Sequence, residues 1–121
     1  MSKILVVDDS PTEVRQFKEM LEGLGHEVIT AENGKDGVKM AASEQPDVVL
    51  MDIVMPGMSG YQAKRKLGRT DATRHIPVIF VTSKDGEADR AWGLRQGVSE
   101  YVTKPVNPSL LLTAISEAMA A

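Results

Sequence analysis

The 121-residue chain has no cysteine, which excludes a disulfide framework and any thiolate metal site. A cytoplasmic location is compatible with that absence. Long apolar runs are missing as well. None approaches the roughly 20 residues a membrane helix needs, and Asp8 and Asp9 cut the apolar start short before a signal peptide could form. Membrane association is therefore not expected. Nor is basic charge in excess: 14 Lys and Arg against 17 Asp and Glu leave a net charge of −3, so direct DNA binding is not expected. The two histidines, His26 and His75, lie in connections without a partner at metal-ligand spacing, and both read as surface residues. Aromatics amount to only 4%, whereas 42% of the residues are hydrophobic, enough to fill one core; residues 1–121 read as a single domain.

What is present alternates. Ile4–Val7 is a short apolar run that fits a buried strand, and Asp8-Asp9 stand at its end. Ser10-Pro11-Thr12-Glu13 follows with Ser at the N-cap, Pro at N1 and Glu at N3, the pattern of a reciprocal capping box. Val14, Phe17, Leu21 and Leu24 then repeat at helical spacing up to Gly25. Val28–Thr30 is a second strand, and Asn33-Gly34 opens a helix to about Ser43 with Val38, Ala41 and Ala42 inward. The run Val48–Met51 between Asp47 and Asp52 suits a strand buried on both faces. A turn-rich loop through Met55-Pro56-Gly57 leads to a third helix bearing Lys64, Arg65, Lys66 and Arg69, read as a solvated face. Pro77–Val81 and Val98–Val102 are the fourth and fifth strands. The helix between them has Ala88, Ala91 and Leu94 as its inner stripe, with Trp92 at the margin, either a core residue or a partner-binding anchor. Leu110, Leu111, Ala114, Ile115 and Ala118 mark the buried face of a fifth helix. Five strands alternating with five helices imply α/β architecture, a doubly wound parallel sheet with right-handed crossovers.

Such a fold brings the carboxyl ends of its strands to one edge, where open α/β sheets place their ligands. Asp8 and Asp9, Asp52, Thr82 and Ser83, and Lys104 all stand at strand ends. Carboxylates gathered there repel one another unless they share a proton or a hard divalent cation. Mg²⁺ suits few carboxylates together with waters and phosphate oxygens. A lysine and a hydroxyl beside it are donors suited to a phosphoryl group, and an aspartate can accept one as an acyl phosphate. The plain alternative is a set of unrelated loop polars.

As a set, Val7-Asp8-Asp9-Ser10, Met51-Asp52 with Met55-Pro56-Gly57, Val81-Thr82-Ser83, and Tyr101 ahead of Lys104-Pro105 resemble the receiver domains of two-component response regulators. The likeness runs from Lys3 to Ala118. It implies a flavodoxin-like (CheY-like) three-layer fold with strand order 2-1-3-4-5. It makes Asp52 the phosphoacceptor for a histidine kinase or its phosphotransfer domain. Asp8, Asp9, Asp52 and the Val54 backbone carbonyl become the Mg²⁺ ligands, Thr82 and Lys104 contact the phosphoryl group, and Tyr101 changes rotamer on activation. Asp9-Ser10-Pro11-Thr12-Glu13, Ala31-Glu32-Asn33-Gly34 and Trp92-Gly93 with Gln96-Gly97 further resemble single-domain regulators of type IV pilus twitching motility. Val54 and Lys84 occupy positions that vary across the family and affect how long the phosphoryl group survives.

The resemblance implies a signalling switch that catalyses its own phosphorylation and slow dephosphorylation without being an enzyme on external substrates. The sequence stops after its fifth helix, so output is expected through protein contact at the fourth helix, fifth strand and fifth helix, where Tyr101 and Trp92 lie. A phosphate sink for a shared kinase and an unphosphorylated pseudo-receiver are the alternatives. A dehalogenase-like phosphohydrolase is disfavoured, since Val54 stands where its second aspartate belongs. A cis peptide is expected before Pro105.

Overall fold

The computed structural model describes residues 2–120, and the elements alternate throughout. They are β1 (Lys3–Val7), α1 (Pro11–Gly23), β2 (Glu27–Ala31), α2 (Gly34–Glu44), β3 (Val48–Met51), α3 (Gly60–Arg69), β4 (Val78–Thr82), α4 (Glu87–Arg95), β5 (Glu100–Thr103) and α5 (Pro108–Ala120). The strands form one parallel sheet in the order β2-β1-β3-β4-β5, as expected. Register pairs Val7 with Met51 and Phe80 with Tyr101, so the strand ends bearing Asp8 and Asp52 lie side by side.

Alternation along the strands divides the core in two. Leu5, Val7, Val49, Met51 and Phe80 face one layer, with Ala41 of α2 and Ala63 and Leu67 of α3. Ile4, Val6, Leu50, Ile79 and Val81 face the other, with Phe17 and Leu21 of α1 and Leu111 and Ile115 of α5. All of β3 and β4 is buried, which is why these runs show no polar alternation. Each large aliphatic side chain removed from water contributes about 1.5–3 kcal/mol, so the sheet centre is the most firmly held part of the fold.

Several helix faces differ from expectation. Leu24, Ala42 and Leu110 are exposed, Leu24 because it lies past the last turn of α1 as its C-cap, the other two because each falls just outside the arc its helix turns to the sheet. In α4 the expected stripe of Ala88, Ala91 and Leu94 is exposed, and Gly93 is the buried residue. His75 is exposed, but His26 is half-buried, and its Nδ1 has no hydrogen-bond partner among the described residues. Of the basic residues on α3, Arg65, Lys66 and Arg69 are exposed while Lys64 is half-buried, and burial pulls its pKa down. The Lys104–Pro105 peptide is cis.

Candidate functional site

The site is built by strand ends. After β1 the Asp8 amide still bonds the Ala31 carbonyl (3.2 Å), and after β3 the Asp52 amide bonds that of Val7 (3.0 Å). The sheet ladder thus carries both aspartates one residue beyond their strands. At the end of β5 the Lys104 amide bonds the Thr82 carbonyl (2.8 Å), which brings the lysine to the same edge.

Lys104 is the hub. Its Nζ lies 2.9 Å from Asp8 Oδ2, 3.0 Å from Asp52 Oδ2 and 2.5 Å from Glu13 Oε2. Burial works against the Lys104 charge, but the bonds to Glu13, Asp8 and Asp52 outweigh it and raise its pKa. The free oxygens are fixed locally: Ser10 N–H donates to Asp8 Oδ1 (2.9 Å) and Ile53 N–H to Asp52 Oδ1 (2.7 Å). Burial of Asp8 pushes its pKa up, against the opposing pull of Lys104 and the Ser10 amide.

One carboxylate oxygen from each of Asp8, Glu13 and Asp52 lies within 4.8 Å of the other two. At that separation two unit charges repel by roughly 3 kcal/mol at an effective dielectric of about 20. One ammonium cannot neutralise three carboxylates. Of the three, the strand-end pair Asp8 and Asp52 offers hard oxygens of the kind Mg²⁺ takes.

Glu13 was not among the sequence-derived site residues. The capping pattern at Ser10 is only half made: Glu13 N–H donates to Ser10 Oγ (3.4 Å), while the Glu13 carboxylate turns to Lys104. Its position in the first turn of α1, beside the acidic corner, was the available signal. Asp9, by contrast, is exposed and lies outside the three-carboxylate group. Val54 is also exposed, on the loop after Asp52.

Thr82 is fully buried, and its Oγ1 accepts a hydrogen bond from Lys84 N–H (3.3 Å). The Lys84 carbonyl in turn accepts one from the Tyr101 hydroxyl (2.8 Å). Tyr101 therefore points inward, 3% exposed, and burial raises its pKa to about 12. Its ring meets Phe80 edge to face, Phe80 meets Tyr61, and Tyr61 meets Trp92, with centroid distances of 6.3, 5.6 and 6.4 Å. Trp92 ends this row half-exposed.

The profile of the response regulator receiver domain matches residues 4–116. The chain is 56% identical over 120 residues to Protein PilH of Pseudomonas aeruginosa, covering 99% of each. It superposes on the chemotaxis protein CheY4 of Vibrio cholerae with a TM-score of 0.90 at 27% identity, covering 98% of each chain. The receiver domain of the sensor histidine kinase PA1611 from Pseudomonas aeruginosa, solved with a magnesium ion coordinated in its active-site cleft, gives 0.91 at 28% identity and covers 99% of this chain and 98% of that one. By sequence and by fold, the chain belongs to the response regulator receiver domain family.

Proposed function

We propose that this chain works as a single-domain phosphoacceptor switch, loaded on Asp52 by a histidine kinase or its phosphotransfer domain. The supporting observation is the placement of the Asp52 carboxylate, one oxygen fixed by a backbone N–H and the other by Lys104, beside Asp8. A carboxylate oxygen of Asp52 attacks the phosphorus of a phosphohistidine. The P–O bond forms as the P–N bond breaks, the electron pair stays on the imidazole nitrogen, and an acyl phosphate results. Lys104 pairs with the phosphoryl oxygens and the Thr82 hydroxyl donates to one of them. Asp8, Asp9, Asp52 and the Val54 carbonyl would hold a magnesium ion, whose charge, when bound, offsets that of the carboxylates and the phosphoryl group. Water later attacks the phosphorus and restores Asp52, so the chain turns over its own phosphoryl group and no external substrate.

Thr82 and Tyr101 both bond the backbone of Lys84. A Thr82 hydroxyl drawn to the phosphoryl group gives up its bond to that residue and shifts the balance between Tyr101 rotamers. The surface of α4, β5 and α5, with Trp92 at its margin, is the output face for a protein target. The likeness to PilH supports a place in twitching or chemotaxis-type motility control, and the cytoplasm is the compartment this reading assigns.

The test is incubation with acetyl phosphate and Mg²⁺, followed by intact mass measurement. One phosphoryl group is expected on the wild-type chain and none on Asp52→Asn. Equal labelling of the two proteins would sink the assignment.

A further inference from the structure

The three carboxylates that hold Lys104 are not equivalent. Asp8 and Asp52 extend from strand ends, their side chains are 3% and 11% exposed, and each is pinned by a backbone N–H as well. Neither can leave without breaking two bonds in a buried setting. Glu13 sits on the first turn of α1 with its side chain 36% exposed, and Lys104 is its carboxylate's hydrogen-bond partner. It has one more rotatable bond than an aspartate. It also borders a groove of about 330 Å³ between α1 and α5, lined by Phe17, Met20, Val106 and Pro108, which gives the side chain somewhere to go. It is also the most exposed of the three carboxylates, so it regains the most hydration on leaving the ion pair.

We propose that Glu13 is a releasable anchor for Lys104. It holds the ammonium on the α1 side of the site in the resting protein and surrenders it when a phosphoryl group arrives on Asp52. This rests on the phosphoacceptor reading of Asp52. The phosphoryl oxygens are a stronger, multiply charged acceptor for Lys104, and they repel a carboxylate that shares the same ammonium. Both effects push Glu13 toward water. Until it moves, Glu13 competes with the incoming group for Lys104 and adds negative charge where more is about to accumulate. Glu13 is therefore a positioning residue that slows phosphoryl uptake.

The experiment compares wild type, Glu13→Gln and Asp52→Asn with acetyl phosphate and Mg²⁺, reading the rate at which phosphoprotein appears by intact mass. Glu13→Gln keeps the shape and removes the charge, and uptake is expected to rise about five-fold, the scale of a part-exposed ion pair. A second readout is the Glu13 carboxyl carbon resonance, which a merely structural role would leave in place. With Mg²⁺ already present, addition of beryllium trifluoride, a phosphoryl mimic, is expected to move it to the position of a solvated carboxylate. Labelling of wild type with equal or slower uptake by Glu13→Gln overturns the anchor, as does an unmoved resonance in protein that binds the mimic. Absence of labelling and of mimic binding in every protein overturns the phosphoacceptor reading, and the release with it.

Discussion

Gly60 decides where the backbone of Asp52 can lie. The first residue of α3 donates its N–H to the Ile53 carbonyl (2.8 Å), and a Cβ there would run into the Asp52 carbonyl and come within 2.8 Å of Ile53 Cα. Main-chain atoms cannot swing aside as a side-chain tip can. Gly60→Ala is expected to lower stability by about 2–3 kcal/mol and to slow phosphoryl uptake by displacing Asp52. In the same helix, a Cβ on Gly68 meets only the flexible end of Lys64, at 3.5 Å. Gly68→Ala is expected to stabilise by up to about 1 kcal/mol through helix propensity. Urea denaturation of the two variants checks this contrast, and a similar loss in both would refute the steric account of Gly60. At this scale the strand-end positions of Asp8, Asp52, Thr82 and Lys104 were legible in the sequence, because each ends or follows a recognisable strand and a parallel sheet gathers such ends. Glu13 was hidden by its own spacing: Ser-x-x-Glu offers a local partner, and nothing in one dimension reveals that Lys104 is the stronger one. The exposure of Asp9 was equally invisible, since two adjacent aspartates point in different directions only once the chain has turned.

Of the five helices, α4 buries the fewest of its residues. Gly93 is its buried residue, set against the Tyr101 ring and Phe80, and its N-cap, Gly86, supplies no side-chain hydrogen bond. By comparison α3 has a reciprocal Ser59–Gln62 capping box and buries Ala63 and Leu67. A helix with little apolar burial and a weak start opens at low free energy. Amide exchange is expected to be fastest in α4 among the five helices, and Gly93→Ala is expected to speed it further. The reason is steric: a Cβ at residue 93 would stand 2.5 Å from the Tyr101 ring, so either the helix lifts or the tyrosine turns outward. Trp92 fluorescence should shift to longer wavelength in that variant as its contact with Tyr61 loosens. Unchanged emission together with unchanged exchange would mean that α4 is anchored by something other than the Gly93–Tyr101 contact. The expectation of an Ala88–Ala91–Leu94 stripe failed here for a related reason. Helical periodicity assumes that the apolar side chains supply the contact, whereas in α4 the contact comes from a ring projecting out of β5, and the helix contributes an absence. The existence, order and type of all ten elements were legible, since each rests on its own run, cap or breaker.

Taken whole, the molecule places its firmest and its most frustrated parts next to each other. The buried central strands β3 and β4 hold the sheet, while its carboxyl edge crowds Asp8, Asp52 and Glu13 around one lysine. The chain's net charge of −3 says nothing of this, because the imbalance is local. Burial disfavours the charged form of Asp8, and a cation beside it would favour that form in the folded protein. A divalent cation that binds the folded site and not the unfolded chain raises stability by RT ln(1 + [L]/Kd), about 1.4 kcal/mol at ten times Kd. For a domain of this size that corresponds to a rise in Tm of roughly 5 °C. Thermal melts with Mg²⁺, against NaCl at equal ionic strength to remove simple screening, are expected to show that rise, and excess EDTA to reverse it. Asp8→Asn removes a hard ligand from the cluster, and its Tm is expected to respond to Mg²⁺ no more than to NaCl. A full Mg²⁺ response in Asp8→Asn would move the cation away from this edge, and no response in wild type would take the divalent ion out of the mechanism.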